Sequence, residues 1–112
     1  MFKICPLCGH PWEDRINFLT DPGLTIIGYQ ARFDDVDDGL FLFNHTCETT
    51  LAVEVERFDD LYKGPRYDDS LTGTDECSEL CLHTDELSAC SARCKYAFVR
   101  EIIQIIKNWP KA

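Results

Sequence analysis

Basic side chains are scarce in this sequence of 112 residues. It contains 11 lysines and arginines against 20 aspartates and glutamates, which gives a formal net charge of −9 with neutral histidines. A chain with this balance repels the phosphate backbone of DNA and RNA, so general nucleic-acid binding is not expected. The basic residues of the last twenty positions are interpreted as solvated charges on a C-terminal helix.

Long apolar runs are also missing. No segment approaches the roughly 20 apolar residues that a membrane-spanning helix needs. The first ten residues, MFKICPLCGH, lack the apolar run of a signal peptide and carry a cysteine where that run would lie. The sequence therefore predicts a cytoplasmic protein with no membrane span. Thiols stay reduced in the cytoplasm, where clustered cysteines are more often metal ligands than disulfides.

Recognisable catalytic patterns are absent as well. The sequence contains no glycine-rich loop for phosphate and no arrangement of serine, histidine and carboxylate that suggests a hydrolase. An acidic stretch at residues 34–39 does not fit a calcium-binding loop that begins at Asp34. The third position of such a loop would be Val36, and the twelfth would be His45 instead of glutamate. We interpret the stretch as a solvated loop and expect no catalytic activity.

Three stretches of the sequence have the composition and alternation of β-strands: residues 24–33, 40–45 and 49–55. Their short connections favour an antiparallel meander. In the first stretch, alternation places four side chains on one face: Ile27, Tyr29, Ala31 and Phe33. Residues 12–19 are consistent with either a short helix or a strand.

One long helix is predicted at residues 91–109, where apolar residues recur at helical spacing before Pro110. The apolar stripe is interpreted as core packing, with a homodimer interface along part of it as the alternative. The predicted fold class is α+β, a small three-stranded antiparallel sheet with a C-terminal helix and metal-stapled ends. A single domain is expected over residues 1–112, with the knuckle and sheet in 1–63 and a cysteine-bearing helical segment in 74–109.

Seven cysteines in spaced groups are the most informative residues that are present. Cys5 and Cys8 form a CxxC turn, which presents two sulfurs to one metal ion. His45 and Cys47 follow at the end of a predicted strand. Three sulfurs and one imidazole nitrogen are a common ligand set for structural zinc, so these four residues are predicted to form a first metal site. His10 is a competing candidate for the fourth ligand.

Other functions of a CxxC compete with this prediction. A thioredoxin-like redox motif needs a preceding strand and a following helix, and only four residues precede Cys5. Covalent haem attachment needs the sequence CxxCH, but Gly9 stands between Cys8 and His10. Ordinary buried thiols without a metal are the remaining alternative.

The other four cysteines form two CxxxC pairs, Cys77 with Cys81 and Cys90 with Cys94. On a helix, positions i and i+4 share a face, so each pair would present its two sulfurs together. Thr74 is a candidate N-cap that would place Cys77 in the first helical turn. Four thiolates could hold Zn²⁺ or an iron–sulfur cluster at this second site, and a disulfide-bonded helical hairpin is a third alternative.

Two resemblances rest on these motifs. The CPLCG stretch at residues 5–9 resembles the knuckle of a zinc ribbon, which implies a structural zinc and says nothing about chemistry. A zinc ribbon has a second CxxCG, whereas this chain has His45-Thr46-Cys47. The knuckle, the FLFNHTC stretch at residues 41–47 and the cysteine-bearing tail together resemble a family of small, uncharacterised bacterial cysteine-rich proteins. That resemblance implies no particular activity.

The predicted function is that of a small binding or sensory module, which two zinc ions stabilise and which recognises a protein partner or a small ligand. A redox protein is the alternative function. An iron–sulfur cluster at the second site would make the protein an electron carrier, and reversible disulfides would make it a thiol switch.

Overall fold

Two small antiparallel sheets and two helices make up the regular structure of the computed structural model, which describes residues 1–33, 35–71, 74–77, 79–90 and 92–112. The elements are β1 (Lys3–Ile4), β2 (Pro11–Trp12), α1 (Arg15–Thr20), β3 (Leu24–Gln30), β4 (Leu40–His45), β5 (Thr50–Glu54) and α2 (Ala97–Lys107). Strands β1 and β2 form a hairpin, and β3, β4 and β5 form a three-stranded sheet in that order. The predicted fold class is confirmed.

The three-stranded sheet is the predicted meander. Strand β4 lies in the centre and pairs with both neighbours in antiparallel register. Phe41 pairs with Val53 and Phe43 with Leu51, so four large side chains share the buried face. The alternation of β4 and β5 dictates this arrangement, because successive side chains of a strand point to opposite faces.

A β-bulge in β3 makes the predicted face of this strand partly wrong: Tyr29 and Ala31 lie at the core, but Ile27 and Phe33 do not. Ile26 pairs with Phe43 and Gly28 pairs with Leu42, so Ile27 is an extra residue opposite no partner. One extra residue reverses the alternation, which puts Ile26 before the bulge and Tyr29 after it in the core. Ile27 is only half-buried, and Phe33 lies exposed beyond the end of the strand.

Helix α2 packs its apolar stripe against the sheet. Val99, Ile102, Ile103 and Ile106 belong to the same core cluster as the buried side chains of all three strands. The predicted core packing of this stripe is therefore confirmed, while the homodimer interface stays a prediction. Within the described ranges, neither helix has the length and apolar character needed to cross a bilayer.

The helix begins six residues later than the predicted start at position 91, which itself lies outside the described residues. A competing backbone contact accounts for the difference. The amide of Lys95 donates to the carbonyl of Asp69 at 2.8 Å, and the amide of Leu71 lies 3.3 Å from the sulfur of Cys94. These contacts hold the chain before Ala97 in a turn against residues 69–71 instead of a helical ladder.

The helix predicted around Cys77 and Cys81 is wrong. Among the described residues of segment 74–109, helical structure is confined to α2 and one 3₁₀ turn. Glu79 has φ +63°, in the left-handed region that an α-helix excludes, and the 3₁₀ turn Leu80–Leu82 follows it. Thr74 does not cap a helix, since its hydroxyl donates back to the carbonyl of Leu71. Ser78 lies outside the described residues.

The ambiguous stretch at residues 12–19 contains the end of β2 and most of α1. Asp14 caps α1, because its carboxylate accepts from the amide of Asn17 at 2.8 Å. Trp12 is buried between the hairpin and the sheet, and its indole Nε1 donates to Oδ2 of Asp21 at 2.8 Å. This contact fixes the N-terminal hairpin relative to the turn that leads into β3.

Candidate metal centre

The knuckle that carries Cys5 and Cys8 is the turn of the β1–β2 hairpin. The amide of Cys5 donates to the carbonyl of His10, and the amide of Gly9 donates to the carbonyl of Cys5, both at 2.9 Å. Gly9 has φ +76°, a conformation that glycine adopts without the steric cost of a side chain. The tight turn therefore holds the two cysteine side chains side by side.

The second half of the site is the turn between β4 and β5. The amide of His45 donates to the carbonyl of Thr49, and the amide of Glu48 donates to the carbonyl of His45, each at 2.9 Å. Glu48 takes the left-handed conformation with φ +73°. This short turn brings Cys47 back beside His45 and directs both toward the knuckle.

Four donor atoms meet where the two turns face each other. The sulfurs of Cys5, Cys8 and Cys47 and a ring nitrogen of His45 all lie within 4.8 Å of one another. The Sγ atoms of Cys5 and Cys47 are 3.6 Å apart, and Nδ1 of His45 lies 3.1 Å from Sγ of Cys47 and 3.6 Å from Sγ of Cys8. These residues could hold one metal ion.

The donor spacing agrees in part with a tetrahedral metal site, for which zinc gives the reference distances. Zn–S bonds of about 2.3 Å and Zn–N bonds of about 2.0–2.1 Å place the four ligand atoms of a tetrahedron about 3.5–3.8 Å apart. The two separations of 3.6 Å fall in this interval, the separation of 3.1 Å between His45 and Cys47 is slightly shorter, and the bound of 4.8 Å on all separations is wider. The donor set of soft thiolates and one imidazole also suits zinc better than calcium or magnesium.

Hydrogen bonds from the protein favour the thiolate form of two of these cysteines. The backbone amides of Cys8 and Leu7 lower the pKa of Cys5 from 9.0 to about 6, against the effect of burial. The Thr49 hydroxyl, 3.3 Å from Sγ of Cys47, lowers the pKa of that thiol, and His45 adds to the effect. Both sulfurs are therefore prepared for metal binding.

The pKa values of the other two groups rise. Burial acts to lower the pKa of His45, but its hydrogen bond to Cys47 and the nearby sulfur of Cys5 outweigh burial and raise it. For Cys8, the amide of His10 acts to lower the pKa, but burial and the neighbouring sulfurs of Cys5 and Cys47 together raise it. A divalent cation would relieve this crowding of negative charge, because it stabilises all of the thiolates at once.

His10 lies beside the cluster and is not a member of it. Its ring packs against Trp12 at 4.8 Å and against His45 at 5.8 Å between centroids. Its Nε2 lies 3.9 Å from Oδ2 of Asp21. Of the two histidines considered from the sequence, His45 is the one whose ring nitrogen meets the three sulfurs.

The donor atoms of the second cysteine group lack the close spacing of the first group. Cys77, Cys81, Cys90 and Cys94 all line one cavity beside the start of α2. Over the described ranges, the first group is the one whose donor atoms have metal-site spacing. All seven cysteines of the chain are free thiols in the structure. Burial raises the pKa of Cys81, and the nearby guanidinium of Arg100 opposes this effect.

Two residues of these sites were missed in the sequence. Thr49 contacts the sulfur of Cys47. The sequence feature that could have identified it is a hydroxyl side chain two positions after that cysteine. Arg100 lines the second cavity and is fully buried. The sequence feature that could have identified Arg100 is its position within the apolar stretch of the helix, three positions before Ile103.

Comparison with protein-family models, with curated proteins and with solved structures finds no match to this chain. The resemblance to small bacterial cysteine-rich proteins therefore stays a prediction from the sequence motifs.

Proposed function

We propose that the protein is a small, non-catalytic binding module whose fold is stabilised by a zinc ion held by Cys5, Cys8, His45 and Cys47. The observation that carries this proposal is the meeting of three sulfurs and one imidazole nitrogen within 4.8 Å. Four protein donors fill a tetrahedral site, so no position is left for a substrate or an activated water. This closure is typical of structural zinc and untypical of catalytic zinc.

The site joins two parts of the chain that are far apart in sequence. Cys5 and Cys47 are separated by 42 positions, and the contact links the N-terminal hairpin to the turn between β4 and β5. Strands β1 and β2 have two residues each, and a hairpin this short is only marginally stable by itself. Zinc binding would therefore contribute to the stability of the folded chain, because the ligand set exists only after folding.

A groove at the edge of the core supports a binding role. It has a volume of about 270 Å³ and lies between α1, β3 and the end of α2. Apolar side chains line most of it, and two lysines stand among them: Phe18, Leu24, Ile26, Phe43, Lys107 and Lys111. An apolar surface beside cationic groups complements a small amphipathic anion, such as a medium-chain carboxylate, and we propose this ligand class for the module.

Metal analysis tests the zinc assignment. Protein purified without added metal is expected to contain zinc, and the Cys47→Ser variant is expected to contain one ion fewer per chain. Thr46→Ser is the matched control, because Thr46 is exposed and supplies no ligand. Unchanged zinc content in Cys47→Ser would contradict the assignment, and iron with inorganic sulfide would favour the alternative of a redox protein.

Calorimetric titration with octanoate and with octanol tests the ligand class. Octanoate is expected to bind more tightly than octanol, and Lys107→Gln is expected to remove most of that difference. Lys63→Gln, an exposed lysine outside the groove, is the control. Equal binding of both compounds, or binding of neither, would refute the proposed ligand class and leave the zinc assignment untouched.

A further inference from the structure

Arg100 is a buried cation that forms no ion pair with a carboxylate among the described residues. Its residue is 0% exposed, on the face of α2 that packs into the core. Nε donates to the carbonyl of Ser88 at 2.8 Å and Nη2 donates to the carbonyl of Glu86 at 2.6 Å, while Nη1 is buried and has no hydrogen-bond partner in the part of the chain that the structure describes. No carboxylate in the described part of the chain forms an ion pair with it. A buried charge in this situation is costly unless an anion lies beside it.

The cavity next to this guanidinium contains the groups that could provide the negative charge. Arg100 lines it together with all four cysteines of the second group, and the remaining lining is apolar apart from Tyr96. The volume of the cavity is about 20 Å³. This space holds about one water-sized sphere, so its present size favours a single ion over an iron–sulfur cluster.

Two of the four sulfurs already accept hydrogen bonds from backbone amides. The amide of Leu71 lies 3.3 Å from Sγ of Cys94, and the amide of Glu79 lies 3.3 Å from Sγ of Cys77. The knuckle of the first site has amides that act in the same way on Cys5. Amide donors of this kind stabilise thiolate charge and orient metal ligands.

We propose that Cys77, Cys81, Cys90 and Cys94 form a second, independent site for one divalent metal ion of the zinc class, with Arg100 as the positioning residue that offsets its charge. Four thiolates and a divalent cation carry a net charge of about −2, which the guanidinium reduces to about −1. The sulfurs come closer together when the ion binds. Their segment, residues 74–96, can adjust because its only regular element among the described residues is the turn Leu80–Leu82.

This inference does not depend on the first site, and the two can fail separately. The zinc-loaded protein and its variants are each titrated with a chromophoric chelator. The absorbance of the zinc–chelator complex gives the number of zinc ions that each variant releases. Wild-type protein is expected to hold about two zinc ions per chain, and Cys94→Ser and Cys47→Ser about one each, from different sites. One zinc in the wild type that Cys47→Ser removes would overturn the second site and leave the first in place.

Variants of Arg100 test its role. Arg100→Met is expected to weaken the second zinc by about 10–100-fold while the first keeps its affinity, as with other residues that support metal ligands. Arg100→Lys is expected to restore part of the loss, because it restores the charge. Equal affinity of the second zinc in the wild type and in Arg100→Met would overturn the charge-balancing role.

Alkylation of the wild-type protein keeps the proposal testable if the Arg100 variants do not fold. The second equivalent of zinc is expected to protect Cys77, Cys81, Cys90 and Cys94 together, as read by mass spectrometry of the labelled peptides. Independent rates of modification that zinc does not change would contradict a shared site. Iron and inorganic sulfide in the purified protein would indicate an iron–sulfur cluster in place of the single ion. This result would also overturn the proposal.

Discussion

The carbonyl oxygen of Thr84 accepts a hydrogen bond from the backbone amide of Tyr29 at 2.8 Å. This contact attaches the cysteine-bearing segment to the free edge of β3, directly after the bulge at Ile27. It also explains the glycine at position 28. A Cβ atom on Gly28 would lie 2.7 Å from the same carbonyl oxygen, a distance that side chains do not tolerate against backbone.

Gly28→Ala is therefore expected to destabilise the protein by about 1–3 kcal/mol, because the added methyl group must displace the backbone at Thr84. Urea unfolding followed by circular dichroism measures this loss. Gly9→Ala is the comparison, since its Cβ would meet nothing within 4 Å and would suffer only from the positive φ. That variant is expected to lose about 1 kcal/mol. A Gly28→Ala variant as stable as the wild type would show that the segment does not rest against β3.

The two histidines near the first site are expected to differ in their effect on zinc. His45→Ala removes a ligand and is expected to lower the affinity of the first zinc by at least about 100-fold, a loss larger than removal of a supporting residue causes. His10→Ala removes only ring packing against Trp12 and His45, so its zinc affinity is expected to stay within about 10-fold of the wild type. Chelator competition measures both constants. If His10→Ala lost more zinc affinity than His45→Ala, His10 would be the ligand and His45 the supporting residue.

The parts of the fold that could be predicted are those in which local pattern and tertiary environment agree. Strand β4 has the predicted bounds, since Phe41 and Phe43 alternate with neighbours and face the core. The knuckle was also visible, because the spacing of Cys5 and Cys8 and the glycine that follows are properties of a short turn. His45 and Cys47 could be assigned to the same site because, at and just beyond the end of a strand, they complete a common zinc ligand set with the two knuckle cysteines.

The parts that could not be predicted depend on contacts between distant segments. The bulge at Ile27 could not be placed from the sequence, since LTIIGYQ alternates acceptably in either phase and Gly28 indicates an irregularity without fixing its position. Segment 74–90 has helical spacing of cysteines, yet its backbone bonds to β3 through Thr84 and turns at Glu79. Arg100 looked like a solvated charge because its acceptors, two backbone carbonyls, lie at positions 86 and 88.

An ion pair at the surface gives a pH-dependent prediction. Arg15 binds Asp60 through both guanidinium nitrogens, with Nη2 2.9 Å from Oδ2, and this contact lowers the pKa of Asp60 from 3.8 to about 2. A lowered carboxyl pKa stabilises the fold above pH 3.8, and the contribution disappears as the pH falls from about 4 to about 2. Because the pair is exposed, solvent screening limits its contribution to about 1 kcal/mol or less.

Asp60→Asn is therefore expected to be slightly less stable than the wild type at pH 7 and equally stable near pH 2. Thermal unfolding of both proteins across this range measures the difference, with Asp68→Asn as an exposed control. A difference that persists below pH 2 would mean that packing, and not the charge of Asp60, stabilises this contact.

The partly buried contact between Trp12 and Asp21 is expected to be stronger than the surface pair, since water is excluded from the indole. Nε1 of Trp12 donates to Oδ2 of Asp21 at 2.8 Å, while Oδ1 of the same carboxylate accepts from the amide of Gly23 at 2.7 Å. These bonds lower the pKa of Asp21 against the effect of burial. The Trp12 ring also packs against His45 at 5.2 Å, so the contact supports a ligand of the first site.

A double-mutant cycle of Trp12→Phe and Asp21→Ala isolates this hydrogen bond. The coupling energy is expected to be about 1.5–3 kcal/mol, the range for a hydrogen bond to a charged group, measured by urea unfolding at saturating zinc. The cycle of Trp12→Phe with Asp35→Ala, which alters an exposed carboxylate in another loop, is expected to be additive within about 0.5 kcal/mol. Additivity in both cycles would mean that the carboxylate acts only on the turn at Gly23 and contributes nothing through the indole.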